Sequence, residues 1–459
     1  MLAEGMDDCL YSNTHVLDSR CIFLAPNTDS AASAYCHLNQ HQALFNPSHP
    51  FGGCDRILVQ VILPLVLSLM APNQPVSNRP TSAILVHLAA SEIDCCSNIM
   101  ESSSRLQDQQ DVFLYTGYEV QFEDLMKYRQ FGFHPITLGE VLPKSNTCVS
   151  HVDKQPTYRI MLKIGHGAFC TAWLARDLVK KRYVAIKVGL GSDTPNPSRE
   201  AEILSLLCKT EREKYKCQRV IELFDAFVVQ GPNRFHQFLV TEVVAPLSDG
   251  DNLKQCSLGA IRQVIQGFAY LHEEGVVHGD PHLGNLGIAL PQLEQFTEDE
   301  ITDHYASPEC IPVVPCDPTF PLHSLPPYIV ESVGMASFLR FHNAFPASSE
   351  ISIRILDFGR AYMPSKTIPE LSGAPPLEIR PPEYMIQDIS SGKIGSAWRK
   401  EADIWAVGCT LFHIETGGGL IPRWSSLKYC LSWAIQFGGH APESWPELDN
   451  NQTEHPRNC

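Results

Sequence analysis

Apolar and polar positions fall into order only partway along the chain. From Met1 to about Gln110, Pro, Ser, Asn and Cys are mixed with short apolar patches and no periodicity is sustained. From about Tyr115 the pattern changes. Tyr158 to Leu162 and Thr171 to Ala175 read as strands around a glycine turn, and Tyr183 to Val188 as a third strand. Glu200 to Leu207 has helical spacing, Phe238 to Val244 is again β-rich, and Leu258 to His272 returns its apolar residues at helical intervals. Gly275 to Val277 is a short β-like run, and Ile353 to Leu356 a strand. This order predicts an α+β fold, a β-rich lobe followed by a mainly helical one. Between Pro291 and Ser349 the proline- and acid-bearing composition suggests loop, hence an insertion with its own role or disorder.

The 459 residues, 44% hydrophobic and 19% charged, suffice for one large domain or two smaller ones. A formal net charge of −16 argues against non-specific attraction to nucleic acid or to an anionic membrane, and leaves room for a basic protein partner. The 16 cysteines are scattered, include the adjacent Cys95 and Cys96, and form no C-x-x-C pair, so reduced thiols of a cytosolic or nuclear protein are expected. Met1 to Leu10 carries acids where a secretory signal would carry bases. The apolar run Ile57 to Ala71 contains Pro64 and falls short of the roughly 18–20 residues of a membrane span, so no span is expected.

Ile164-Gly165-His166-Gly167-Ala168-Phe169 lies between two predicted strands, where glycines let the backbone bend over phosphates and offer N–H donors. Alone it is ordinary turn chemistry, and Cys170 replaces the third glycine of a full G-x-G-x-x-G. Val184-Ala185-Ile186-Lys187 sets one lysine in an apolar strand. A buried lysine demands a partner, and Glu202 on the next predicted helix is the expected one, while the ammonium meets phosphates. In His278-Gly279-Asp280-Pro281-His282-Leu283-Gly284-Asn285, the spacing from Asp280 to Asn285 suits a loop whose carboxylate takes a hydroxyl proton and whose amide oxygen holds a metal. Asp357-Phe358-Gly359 ends a strand, placing a hard oxygen ligand for Mg²⁺. His272-Glu273 opens an H-E-x-x-H reading, but His278 is too far along for that zinc helix.

These fragments, in this order and context, resemble a protein kinase. The details are similar to the SR-protein kinase group and its divergent fungal relatives: Tyr128-Arg129-Gln130-Phe131-Gly132-Phe133-His134-Pro135 through Val141, Ala172-Trp173-Leu174-Ala175-Arg176-Asp177, and the long stretch before Asp357 with Pro326-Pro327-Tyr328. The resemblance covers roughly Tyr115 to Trp445. It implies a two-lobed fold: 1–114 unassigned and largely disordered, 115–157 a lead-in, 158–244 the N-lobe, and 245–459 a C-lobe with an insert at about 291–350. It implies Mg-ATP as phosphoryl donor and a protein hydroxyl, on an Arg/Ser-rich or basic substrate, as acceptor. Lys187 and Glu202 become the phosphate clamp, Asp280 the base, and Asn285 and Asp357 the metal ligands. Thr241 stands behind the adenine, the backbone of Glu242 and Val244 meets its edge, and Ala172 and Ala185 pack on its faces. Arg380-Pro381-Pro382-Glu383 resembles the A-P-E segment, and Asp403 to Gly408 the helix that anchors the catalytic loop.

The departures carry weight too. Gly279 stands where many kinases have arginine, which removes the expected receptor for an activation-loop phosphate. His282 replaces the usual γ-phosphate lysine by a mostly neutral group. H-G-D-x-H-x-x-N also resembles small-molecule phosphotransferases. Only a polar tail follows Gly438 to Trp445, so the C-lobe is expected to be truncated, and no arginine is evident to pair with Glu383. A pseudokinase or kinase fragment acting as a binding module is therefore the alternative to an enzyme.

Overall fold

The computed structural model describes residues 112–115, 121–208, 217–306, 308–317, 320–366, 375–393, 395, 397–421, 426–438 and 445. The run 57–71, nearly all of 1–114 and most of 438–445 lie outside them. Among the described residues no helix is long and apolar enough to cross a membrane.

The N-terminal lobe is a six-stranded antiparallel sheet: β1 (Val141–Leu142), β2 (Tyr158–His166), β3 (Cys170–Asp177), β4 (Arg182–Ser192), β5 (Leu223–Gly231) and β6 (Arg234–Thr241), in the order β1-β2-β3-β4-β6-β5. Two-residue alternation sorts β4 onto two faces. Val184, Ile186 and Val188 enter a core with Trp173, Phe227 and Phe238, while Ala185 packs toward the main core of the molecule. Helix α1 (Arg199–Leu207) interrupts the sheet and is capped by Ser198, whose hydroxyl accepts from the Ala201 N–H. The β-rich run expected to continue to Val244 breaks after Thr241, and Val244–Pro246 forms a separate strand, β7.

Strand β7 pairs with β8 (Leu286–Ala289), which pairs with β11 (Ile353–Ile355). Around this small sheet lie α2 (Gly250–Leu253), α3 (Leu258–Glu273), α6 (Pro382–Ile389), α7 (Lys400–Thr416) and α8 (Leu427–Gly438). Gly275 to Val277 does not form a strand. Gly275 has φ +71°, and Val277 makes only an isolated bridge to Tyr362.

The expected loop at 291–350 is instead built. It contains α4 (Glu298–His304), a hairpin of β9 (Cys310–Pro312) and β10 (Tyr328–Val330), and α5 (Met335–Phe341). Leu293, Ile301, Phe338 and Leu339 enter the main core, whereas Leu325 and Ile329 join Phe113 and, from the lead-in, Phe122, Tyr128 and Phe133 in a separate apolar cluster. The insert also reaches the N-lobe sheet. Glu294 accepts from the Tyr183 N–H at 2.7 Å, and Glu298 pairs with Arg159. The lead-in buries an ion pair against β2, Glu123 with Lys163, and Tyr128 donates its hydroxyl to the same carboxylate at 2.7 Å. Burial pushes the Lys163 ammonium down to about 7.

Candidate active site

Lys187 lies on β4 opposite Ala172 of β3 and Leu239 of β6. Its ammonium donates to both carboxylate oxygens of Glu200, at 2.8 and 2.9 Å, and to Asp357 Oδ1 at 2.7 Å. Glu202, the expected partner, is exposed on the far side of α1. The helix starts at Arg199, and two residues turn a helical side chain by about 200°, so Glu200 and Glu202 cannot share a face. Burial alone would lower the Lys187 pKa, but Glu200 and Asp357 outweigh it and hold the group charged. The Glu200 carboxylate also accepts from the Phe358 N–H at 3.1 Å, so α1, β4 and the Asp357 segment meet at one point.

The glycine-bearing turn closes the β2–β3 hairpin, with the Gly167 N–H on the Cys170 carbonyl at 2.9 Å. Ile164, Gly165 and His166 belong to β2, and Gly167, Ala168 and Phe169 form the exposed tip. Lys127 of the lead-in donates to the Ala168 carbonyl at 2.9 Å, a contact no motif disclosed. At the far wall Thr241 is buried. The Glu242 N–H, expected to meet an adenine edge, is instead given to the Glu222 carbonyl at 3.2 Å, and the Glu242 carbonyl accepts from the Thr241 hydroxyl. Val244 opens β7 opposite Ala289.

The loop that carries Asp280 hangs from one buried carboxylate. Asp403 of α7 accepts from the backbone N–H of His278 (2.7 Å) and of Gly279 (2.9 Å), and from the Trp398 indole (2.8 Å), with His272 Nε2 at 3.1 Å. Burial would raise the pKa of Asp403, but the His272 hydrogen bond and these neighbours hold it below the usual carboxylate range. His278 Nδ1 accepts from the Asp280 N–H at 3.2 Å, so its proton sits on Nε2, 2.9 Å from the Leu356 carbonyl. Asn285 donates its amide to the Asp280 carbonyl at 2.8 Å, which leaves the amide oxygen as its acceptor.

Asp280 Oδ1 is buried without a hydrogen-bond partner, and Oδ2 lies 3.7 Å from His282 Nε2. His282 Nδ1 accepts from the Gly284 N–H at 3.0 Å, which puts the proton of the neutral ring on Nε2, facing Asp280. Burial raises the Asp280 pKa and lowers that of His282. Asp357 adopts a left-handed backbone, φ 55°, and accepts from the Gly359 N–H at 3.2 Å. Burial would raise its pKa, but Lys187 holds it below the usual range.

These residues fit Mg-ATP. An amide oxygen on Asn285 and an ionised Asp357 form a sparse, all-oxygen donor set of the kind Mg²⁺ shares with phosphates and water, and the open acceptor on Asp280 lies outside that set. Arg380 pairs with Asp388 at 3.1 Å and donates to the Pro375 carbonyl, and no cation among the described residues pairs with Glu383, whose pKa burial raises.

No protein-family model matches the chain. Among curated proteins it is 29% identical to the serine/threonine-protein kinase spk-1 of Caenorhabditis elegans over 183 residues, 38% of this chain and 17% of that protein. It is 29% identical to SRSF protein kinase 3 of Homo sapiens over 169 residues, 34% of this chain and 28% of that protein. It is also 29% identical to the serine/threonine-protein kinase SKY1 of Saccharomyces cerevisiae over 199 residues, 38% of this chain and 24% of that protein. The chain thus spans less than a third of the length of these relatives. It is similar to SR-protein kinases in sequence, and its sheet-and-helix architecture is the two-lobed kinase fold.

Proposed function

We propose that this chain is an ATP-dependent serine/threonine protein kinase that transfers the γ-phosphoryl of Mg-ATP to hydroxyls of Arg/Ser-rich or basic proteins. One observation carries the reading: a single ammonium, Lys187 Nζ, bonds Glu200 of α1 and Asp357 at once, joining the phosphate clamp to the metal-binding segment. Mg-ATP, when bound, supplies the transferable phosphoryl and the metal charge that neutralises it. Lys187 orients the donor's phosphates, and Asn285 and Asp357 hold the metal. Asp280 Oδ1 takes the proton of the attacking hydroxyl, and Asp403, through the His278 and Gly279 amides, keeps that carboxylate in place. His282, neutral at pH 7, presents an N–H beside Asp280. Similarity to the serine/threonine-protein kinase SKY1 supports the serine/threonine class, and similarity to SRSF protein kinase 3 supports the choice of substrate.

The test is incubation of purified protein with Mg-ATP labelled at the γ position and three acceptors: an Arg-Ser repeat peptide, a panel of basic proteins, and small hydroxyl compounds such as aminoglycosides. Label on serine of the peptide is expected. Label on the small compounds alone would make the chain a small-molecule phosphotransferase, and none anywhere would leave a binding module.

A further inference from the structure

We propose that Arg360 is a positioning residue for phosphoryl transfer, tying the segment that carries Asp357 to the loop that carries Asp280 through the Gly279 carbonyl. The inference deepens the kinase reading and rests on it. Arg360 closes the single helical turn Phe358–Arg360 that Asp357 caps, and its Nε donates to the Gly279 oxygen at 3.2 Å. Gly279 is thus gripped on both sides, its N–H by Asp403 at 2.9 Å and its carbonyl by the guanidinium. That carbonyl belongs to the same planar peptide as the Asp280 nitrogen, so fixing it fixes the plane from which the Asp280 side chain departs.

The two residues are fitted to each other. A Cβ on Gly279 would lie 2.9 Å from the Arg360 carbonyl oxygen and 3.2 Å from the Arg360 Cβ, and the glycine's φ of +83° is one that other residues adopt with strain. A side chain at 279 would push Arg360 off the loop. The absence of arginine at 279 is therefore not a missing guanidinium: one reaches the same loop from the turn that follows Asp357. Of the charged and titratable groups around Asp280, namely His278, His282, Arg360 and Asp357, only Arg360 carries a permanent positive charge. Its charge favours the ionised form of Asp280, the form in which the carboxylate can act as a base.

The test compares Arg360→Met and Arg360→Lys with the parent in steady-state transfer from Mg-ATP to an Arg-Ser peptide. In Arg360→Met, kcat is expected to fall by about 30-fold while KM for ATP stays within about twofold, because the loop is misplaced and the nucleotide clamp is intact. Arg360→Lys, which keeps the charge and a donor, should recover about tenfold of that loss. The proposal is overturned by a Met variant within twofold of the parent, by kcat and KM moving together, or by equal loss in both variants. Should the parent itself transfer no phosphoryl, the kinase reading fails separately. Hydrogen exchange of the nucleotide-free protein then decides the tether: faster exchange of the Gly279 and Asp280 amides in Arg360→Met sustains it, and unchanged exchange removes it.

Discussion

Glu200 and Glu202 stand two positions apart on one short helix, and only Glu200 meets Lys187. Spacing in the sequence could not separate them, because both are acids in the first turn and the choice depends on where the helix begins. Ser198 fixes that start, and a cap reading of Ser-Arg-Glu-Ala would have favoured Glu200 as the residue facing the sheet. Glu200→Gln should therefore lower kcat/KM for ATP by about 10- to 100-fold, while Glu202→Gln stays within about twofold of the parent. Reversed effects in that pair of assays would restore the sequence-based pairing. His282 changes its meaning in a similar way. Its Nδ1 is occupied by the Gly284 N–H and burial lowers its pKa, so protonation must compete with a hydrogen bond and lies below the ordinary value. His282→Gln, neutral at every pH, is expected to keep turnover within about threefold of the parent between pH 7 and 8. A tenfold drop across that range would mean that the imidazolium form contributes.

At the scale of elements, two carboxylates carry the framework. Asp403 receives the catalytic loop, and its folded pKa is held below the ordinary carboxylate value near 3.8. As pH falls, the unfolded chain takes up this proton first. The stability it contributes is thus complete above that ordinary value and is lost as pH falls through the folded pKa. Asp403→Asn should cost about 3 kcal/mol near pH 7. Urea midpoints measured from about pH 5 down to 3 should converge for parent and variant, and parallel curves would contradict the assignment. The second carboxylate, Glu123, lies with Lys163 under the lead-in. Lys163→Met should cost about 3–5 kcal/mol by leaving Glu123 buried and unpaired, and adding Glu123→Leu should return most of it in the same denaturation assay. The insert shows where element reading fell short. Its helix α4 was announced by Thr297 and Glu300, which form a full capping box, but the helix is only seven residues long. An apolar period cannot show itself over two turns, and proline-rich flanks masked the cap.

Across the whole molecule, the strand and helix order of the two lobes was legible because each motif residue also dictates its local backbone: glycines at the hairpin tip, an aspartate before Phe-Gly, a histidine two residues before Asp280. Contacts made between distant segments were not legible. The hold of Lys127 on the glycine turn, the bonding of the insert to the N-lobe and the reach of Arg360 to Gly279 join residues 41 to 139 positions apart, and no local pattern encodes them. Net charge, at −16, bears on partners and not on the fold. The reading stands or falls on chemistry assembled at Asp280 by elements from both lobes. The most direct measurement is single-turnover phosphoryl transfer from Mg-ATP to an Arg-Ser peptide by the parent and by Asp280→Asn, with nucleotide affinity measured in parallel. Asp280→Asn is expected to bind Mg-ATP within about threefold of the parent and to lose transfer by about 100-fold or more. Equal transfer by the two proteins, at equal affinity, would contradict the role of Asp280 and with it the assignment of this site.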